Sequence, residues 1–132
     1  MTIVIWAEDM MLKEKILHNA GPFQKIPDKI VRLQKLRVLR LPVNAIDIST
    51  ILAQLPNLSI LDLSDNAVGH VERIAAIATL EELYLYGCNL SRLPANIGSL
   101  KNLKVLGLAG NDLDPAEQER IKKALPHCKV IF

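Results

Sequence analysis

Aromatic side chains are scarce in this sequence: one tryptophan, two tyrosines and two phenylalanines among 132 residues, although half of the composition is apolar. A core must therefore be filled by Leu, Ile, Val and Ala, branched aliphatics used repetitively. Charge of one sign is also missing. The formal net charge is +2, with Lys and Arg scattered among Asp and Glu, so there is no dense phosphate-neutralising surface and nucleic acid is excluded as a partner. Cysteine is limited to Cys88 and Cys128; both fall where the pattern described below wants a buried residue, and they read as reduced thiols in a reducing compartment. The opening MTIVIWAEDMML has no basic leader, and Glu8 with Asp9 interrupts it before a signal or membrane-spanning segment develops. These absences predict a cytoplasmic protein of one domain with no membrane partner.

The residues of catalysis do not converge. No glycine precedes Lys-Ser/Thr at the spacing of a phosphate loop. His18, His70 and His127 are far apart, and neither they nor the two cysteines have a zinc spacing. Ser64 and Asp65 lie beside Asn66 with no histidine on the same short ridge. Glu81 and Glu82 are adjacent, so strand geometry points them to opposite faces. The expectation is a non-enzymatic chain with no catalytic residues, no metal site and no cofactor.

What is abundant is repetition. Four segments superimpose on LxxLxLxxNxL: Leu36 to Ile46 (LRVLRLPVNAI), Leu58 to Val68 (LSILDLSDNAV), Leu80 to Leu90 (LEELYLYGCNL) and Leu103 to Leu113 (LKVLGLAGNDL), with successive starts 22, 22 and 23 residues apart. The linking segments repeat too, since FQKIPDKIVRLQKL from Phe23 aligns with LSRLPANIGSLKNL from Leu90. Phe23 thus closes an earlier degenerate coil, in which the motif offsets put Ile16 on the second apolar position and His18 on the third. At the other end LPHCKVIF echoes LPNLSILDL, so that Cys128 takes the place of Leu58 and Ile131 that of Leu61. Asp114, Pro115 and Glu117 fit the N-cap, first-turn and capping-box positions of a helix running to about Leu125. The expected organisation is a single domain over 1–132: an N-terminal cap and degenerate repeat over 1–35, four clear repeats over 36–113, and a capping helix and strand over 114–132. TIVIW, with Trp6, reads as a cap over the first coil, an extra edge strand being the alternative.

Each unit has a physical logic. In LxLxx the alternate leucines point inward from a short strand, and neighbouring strands stack at roughly 4.8 Å into a parallel sheet. The turn that follows buries backbone polar groups, which need a short polar side chain to meet them. Asn44, Asn66 and Asn111 supply it, and Cys88 is a smaller thiol alternative. The return segments are too short for long helices and predict single turns, 3₁₀ pieces and modest helices on the convex side, with Ala53 to Leu55 and Ile74 to Leu80 the most helical.

From about Ile16 to Phe132 the sequence resembles the leucine-rich-repeat family, and its 22–23-residue repeats without Cys-rich caps are similar to those of the short intracellular members. The resemblance implies an α/β solenoid, a right-handed horseshoe whose parallel concave sheet holds protein ligands, with short helical or 3₁₀ segments outside; it names no partner.

On such a sheet the outward residues form two columns, Val38, Ile60, Glu82, Val105 and Val130, then Arg40, Asp62, Tyr84, Gly107 and Phe132, with Tyr86 one step farther along its strand. Val and Ile in the first column also suit a strand for its own sake. Tyr84 and Tyr86 have no comparable packing reason, and Gly107 and Ala109 leave room beside them for a protruding side chain of a partner. Arg40, Asp62, Glu82, Tyr84 and Tyr86 are therefore the candidate partner-binding residues. The alternative is a structural or capped repeat fragment of a larger regulatory or effector protein.

Overall fold

The computed structural model describes residues 16–18, 28–41, 48, 50–68 and 70–132. The expected cap around Trp6, the end of the first coil at Phe23 and the turn residue Asn44 lie outside the described residues.

Strands of three residues recur once per coil: β1 Ile16–His18, β2 Val38–Arg40, β3 Ile60–Asp62, β4 Glu82–Tyr84, β5 Val105–Gly107 and β6 Lys129–Ile131. All pair in parallel, in the order of the chain. Parallel neighbours need a long return path, and the rest of each coil provides it. Leu39, Leu61, Leu83 and Leu106 sit at the inward middle position of their strands, all completely buried. Leu36, Leu58, Leu80 and Leu103 before the strands, and Leu41, Leu63, Leu85 and Leu108 after them, extend the same core. Each fully buried leucine contributes about 1.5–3 kcal/mol, so three columns stacked over four coils dominate the stability of the solenoid.

The returning strokes are 3₁₀ segments, Asp28–Arg32, Thr50–Gln54, Val71–Ala76 and Ile97–Ser99. Their cause is the spacing of buried residues. Ile30 and Leu33, Leu52 and Leu55, Ile74 and Ile77, and Ile97 and Leu100 are all buried and three apart, a spacing that a three-residue turn places directly in line on one face. The second member of each pair donates its N–H to the carbonyl of the first, at 2.9, 3.2, 3.0 and 3.2 Å in that order. The last stroke changes period. Glu117, Ile121 and Leu125 are buried at four-residue spacing, matching α-helical geometry, and α1 spans Pro115–Ala124.

The helix start is half as expected. Asp114 Oδ1 accepts the Glu117 N–H at 2.8 Å with Pro115 in the first turn. The Glu117 carboxylate, however, does not complete a capping box. It accepts the Leu93 N–H at 2.8 Å and pairs with Arg120 at 2.6 Å, while Arg120 donates to the Leu93 carbonyl at 2.8 Å. Glu117 is buried, and the Arg120 guanidinium beside it holds its carboxyl below the usual range, against the opposing effect of burial. The result is a latch between the terminal helix and the preceding coil.

Polar ladders join the coils. Asn66 Nδ2 donates to Leu41 O at 2.9 Å and Leu63 O at 2.7 Å. Asn111 Nδ2 donates to Leu85 O and Leu108 O at 2.7 and 2.8 Å, and its Oδ1 accepts the N–H groups of Cys88 and Leu90, both at 2.9 Å. Cys88 Sγ contacts the Leu63 carbonyl at 3.2 Å in the same ladder; its thiol is pushed up by burial. A second ladder was not anticipated: Asn57 Nδ2 reaches Gln34 O at 2.7 Å and Asn102 Nδ2 reaches Ala78 O at 3.3 Å.

Two registers correct the sequence expectations. Leu17 pairs with Leu39 and His18 with Arg40, one residue from the offset that put Ile16 on the second apolar position and His18 on the third. At the other end Val130 pairs with Leu106, Lys129 with Val105 and Ile131 with Gly107. Val130, not Ile131, thus takes the place of Leu61, and Lys129 and Ile131 replace Val130 and Phe132 in the outward columns. The physical reason is a deletion in the last coil. Cys128 donates its N–H to Leu125 O at 3.1 Å, as Leu103 does to Leu100 O at 3.2 Å, so Cys128 does stand where Leu58 does. Only one residue, rather than two, then separates it from the inward strand position.

Candidate partner-binding surface

The outward positions of β2 to β4, with Tyr86 in the turn just after β4 rather than in the strand itself, bring the five candidate residues into one continuous strip. Register places Arg40 beside Asp62, Asp62 beside Tyr84, and Ile60 beside Glu82. Arg40 Nη1 lies 3.5 Å from Asp62 Oδ2, while Asp62 Oδ1 accepts the Ser64 N–H at 3.0 Å. The Tyr84 hydroxyl donates to Glu82 Oε1. That bond to a carboxylate, aided by partial burial, pushes the Tyr84 phenol up to about 12, so the hydroxyl remains a donor through the physiological range. Tyr84 and Tyr86 are stacked, with ring centroids 5.9 Å apart and planes inclined by 29°, within the range where aromatic pairs attract.

The rings have a packing reason after all. A Cβ built on Gly107 would lie 2.5 Å from Tyr86 Cζ, 2.7 Å from its hydroxyl oxygen and 2.9 Å from Tyr84 Cδ1. Both tyrosines lean across β5 into the space that Gly107 leaves, and Gly107 is buried beneath them. The room expected there for a partner's side chain is filled from within. Both rings nonetheless stay partly exposed, forming an aromatic plate in the middle of the sheet.

Sequence reasoning missed two supports of this plate. Ser64 Oγ accepts the Tyr86 N–H at 3.2 Å. Asp65, with φ 58°, turns its carboxylate over the next coil, where a Cβ on Gly87 would meet Asp65 Oδ1 at 2.7 Å. The signal was present in the alignment of repeats, where Asp65, Gly87 and Gly110 share one column and all have positive φ, a conformation that Gly and Asp tolerate better than most residues.

Exposed His70 lies 3.2 Å from Glu72 and His127 is exposed. Among the described residues no three His, Cys, Asp or Glu side chains group as metal ligands, and no helix is long and apolar enough to cross a membrane.

Four of the six strands carry the LxL pattern, with asparagine ladders behind them and 3₁₀ strokes outside, and the family profile of leucine-rich repeats in two copies matches residues 78–118. The chain belongs to the leucine-rich-repeat family. The solved structure of a leucine-rich-repeat protein from Leptospira interrogans superimposes with a TM-score of 0.78 and 35% identity, over 89% of this chain and 31% of that one. The leucine-rich-repeat ectodomain of a receptor kinase from Arabidopsis thaliana gives a TM-score of 0.60 at 28% identity, over 79% of this chain and 61% of that one. Tubulin-folding cofactor E of Arabidopsis thaliana is 33% identical over 110 residues, 77% of this chain. This leucine-rich-repeat chain spans only 21% of that curated relative's length.

Proposed function

We propose that this leucine-rich-repeat chain is a protein-interaction module whose partner docks on the concave sheet around Tyr84, with Arg40, Asp62, Glu82 and Tyr86 setting its orientation. The observation that carries the reading is the stacked Tyr84–Tyr86 plate, partly exposed at the centre of the sheet and flanked by charged groups. Central aromatics surrounded by other contacts carry most of the energy in protein interfaces. The role is binding rather than catalysis. Its organisation follows the repeat pattern: a cap and degenerate coil over 1–35, recognition repeats over 36–113 and a terminal cap over 114–132. Two free thiols, one buried and one partly buried, suit the cytoplasm.

A photo-crosslinking amino acid placed at Tyr86, and as a control at Lys123 on α1, tests the docking face. A defined protein adduct from position 86 that is missing from position 123, and lost when Tyr84→Ala removes the neighbouring ring, is the expected result. Equal adducts from both positions would reject the concave face as the main site.

A second reading is favoured by the partial coverage of longer relatives: the chain serves as one recognition segment of a larger regulatory or effector protein. Adducts formed within a longer native polypeptide, rather than with a separate chain, would select it.

A further inference from the structure

The charges around the aromatic plate are unbalanced in one direction. Arg40 is engaged by Asp62 at 3.5 Å, and Lys104, at the edge of the same sheet, is held by Glu81 at 2.6 Å. Glu82 and Asp65 are left without a cationic side chain in ion-pair reach among the described residues. Glu82 spends one oxygen on the Tyr84 hydroxyl, leaving the other for an incoming donor. Asp65 lies on the Tyr86 side, across Gly87. Glu82 thus flanks Tyr84, and Asp65 lies over the Gly87 turn that follows Tyr86, beside two stacked rings that cover Gly107 and stay partly exposed.

Rings so placed attract a cation through their quadrupoles, and flanking carboxylates add charge-assisted hydrogen bonds. A planar guanidinium satisfies both at once, because it stacks on an aromatic face while its N–H groups reach carboxylate oxygens. We propose that the concave face recognises a basic segment of a protein partner by taking an arginine side chain onto the Tyr84–Tyr86 plate between Glu82 and Asp65. This assignment rests on the concave-face reading and names the chemistry of its occupant. Arg40 sets its polarity: it neutralises Asp62 at one end of the strip, so the carboxylates without an ion-pair partner among the described residues lie towards the tyrosine end.

The probe is a capped hexapeptide of alternating arginine and serine, compared with glutamate–serine and glutamine–serine counterparts, titrated into the full chain while amide resonances are followed. The expected result is saturable shifts at residues 82–87 and 105–109 with the arginine peptide alone, weakened by raised salt. Glu82→Gln with Asp65→Asn should weaken it about five- to tenfold, whereas Arg40→Gln, which releases Asp62, should tighten it. Preference for the glutamate or glutamine peptide at the same amides would overturn the basic occupant while leaving the concave face as a docking surface. Arginine-peptide shifts confined to other coils would overturn both, and no saturable shift with any peptide would overturn the arginine assignment.

Discussion

Tyr86 occupies the space in which a side chain at Gly107 would stand, with its Cζ 2.5 Å from the position of that missing Cβ. The pair couples two neighbouring coils through an absence, and substitution should expose the coupling. Gly107→Ala must push the tyrosine tips aside, a small overpacking at a surface where the rings can yield, so the loss should be about 1 kcal/mol, at the low end of overpacking costs. In a Tyr86→Ala background the same change should cost less. Denaturant melts of the four proteins give the coupling directly; additive losses would show that the contact is not the constraint.

The Tyr84 phenol offers a pH readout. Raised to about 12 by the Glu82 carboxylate and by partial burial, it is protonated more readily in the folded chain than in the unfolded one, where tyrosine titrates near 10. Its contribution to stability is therefore fully present below about pH 10 and is lost as pH rises through about 12. Spectrophotometric titration should show one of the two tyrosines ionising late, and Glu82→Gln should bring it back towards its ordinary value. A late phase that survives this change would assign the shift to burial alone.

Asn66 is buried and holds the carbonyls of Leu41 and Leu63. Asn66→Ala strips both of a donor and should destabilise the fold by about 1–3 kcal/mol. An unchanged midpoint and slope in denaturant would contradict its ladder role.

Thr79 stands in the column of Asn57 and Asn102, and its Oγ1 is buried without a hydrogen-bond partner among the described residues. The hydroxyl is too short for the reach that the two asparagines make to the preceding coil. Thr79→Asn should restore the rung and raise stability by about 0.5–1.5 kcal/mol, the net worth of one hydrogen bond. A lower melting midpoint would mean that the larger side chain does not fit.

Much of this architecture was legible because the repeat multiplies each signal. The leucine columns, the outward placement of Arg40, Asp62, Glu82 and Tyr84, and the asparagines at 66 and 111 each follow from four aligned segments. The terminal coils had no such redundancy. One residue fewer between Cys128 and the strand moves Val130 inward, a shift that a single copy of a motif does not reveal. The filling of the space over Gly107 was also hidden, because period-two geometry fixes the side of the sheet on which Tyr86 emerges but not the direction in which its ring leans. Glu117 looked local for the same reason: its sequence position fits a capping box, while its partner Leu93 lies 24 residues away.

The terminal helix can be tested in two steps. Ile121 and Leu125 cover the apolar side of the preceding coil, and Glu117 and Arg120 tie the helix to Leu93. Removing residues 114–132 exposes that coil and takes away β6, so the shortened chain should aggregate or unfold without cooperativity. Glu117→Ala keeps the apolar cover but leaves the Leu93 N–H and the Arg120 guanidinium without their carboxylate; it should fold, with a loss of about 2–4 kcal/mol. Sedimentation and thermal melts of both variants separate the contributions. A shortened chain that stays monomeric and melts cooperatively would show that the helix is not the cap, and a Glu117→Ala melt equal to wild type would show that the latch adds nothing to it.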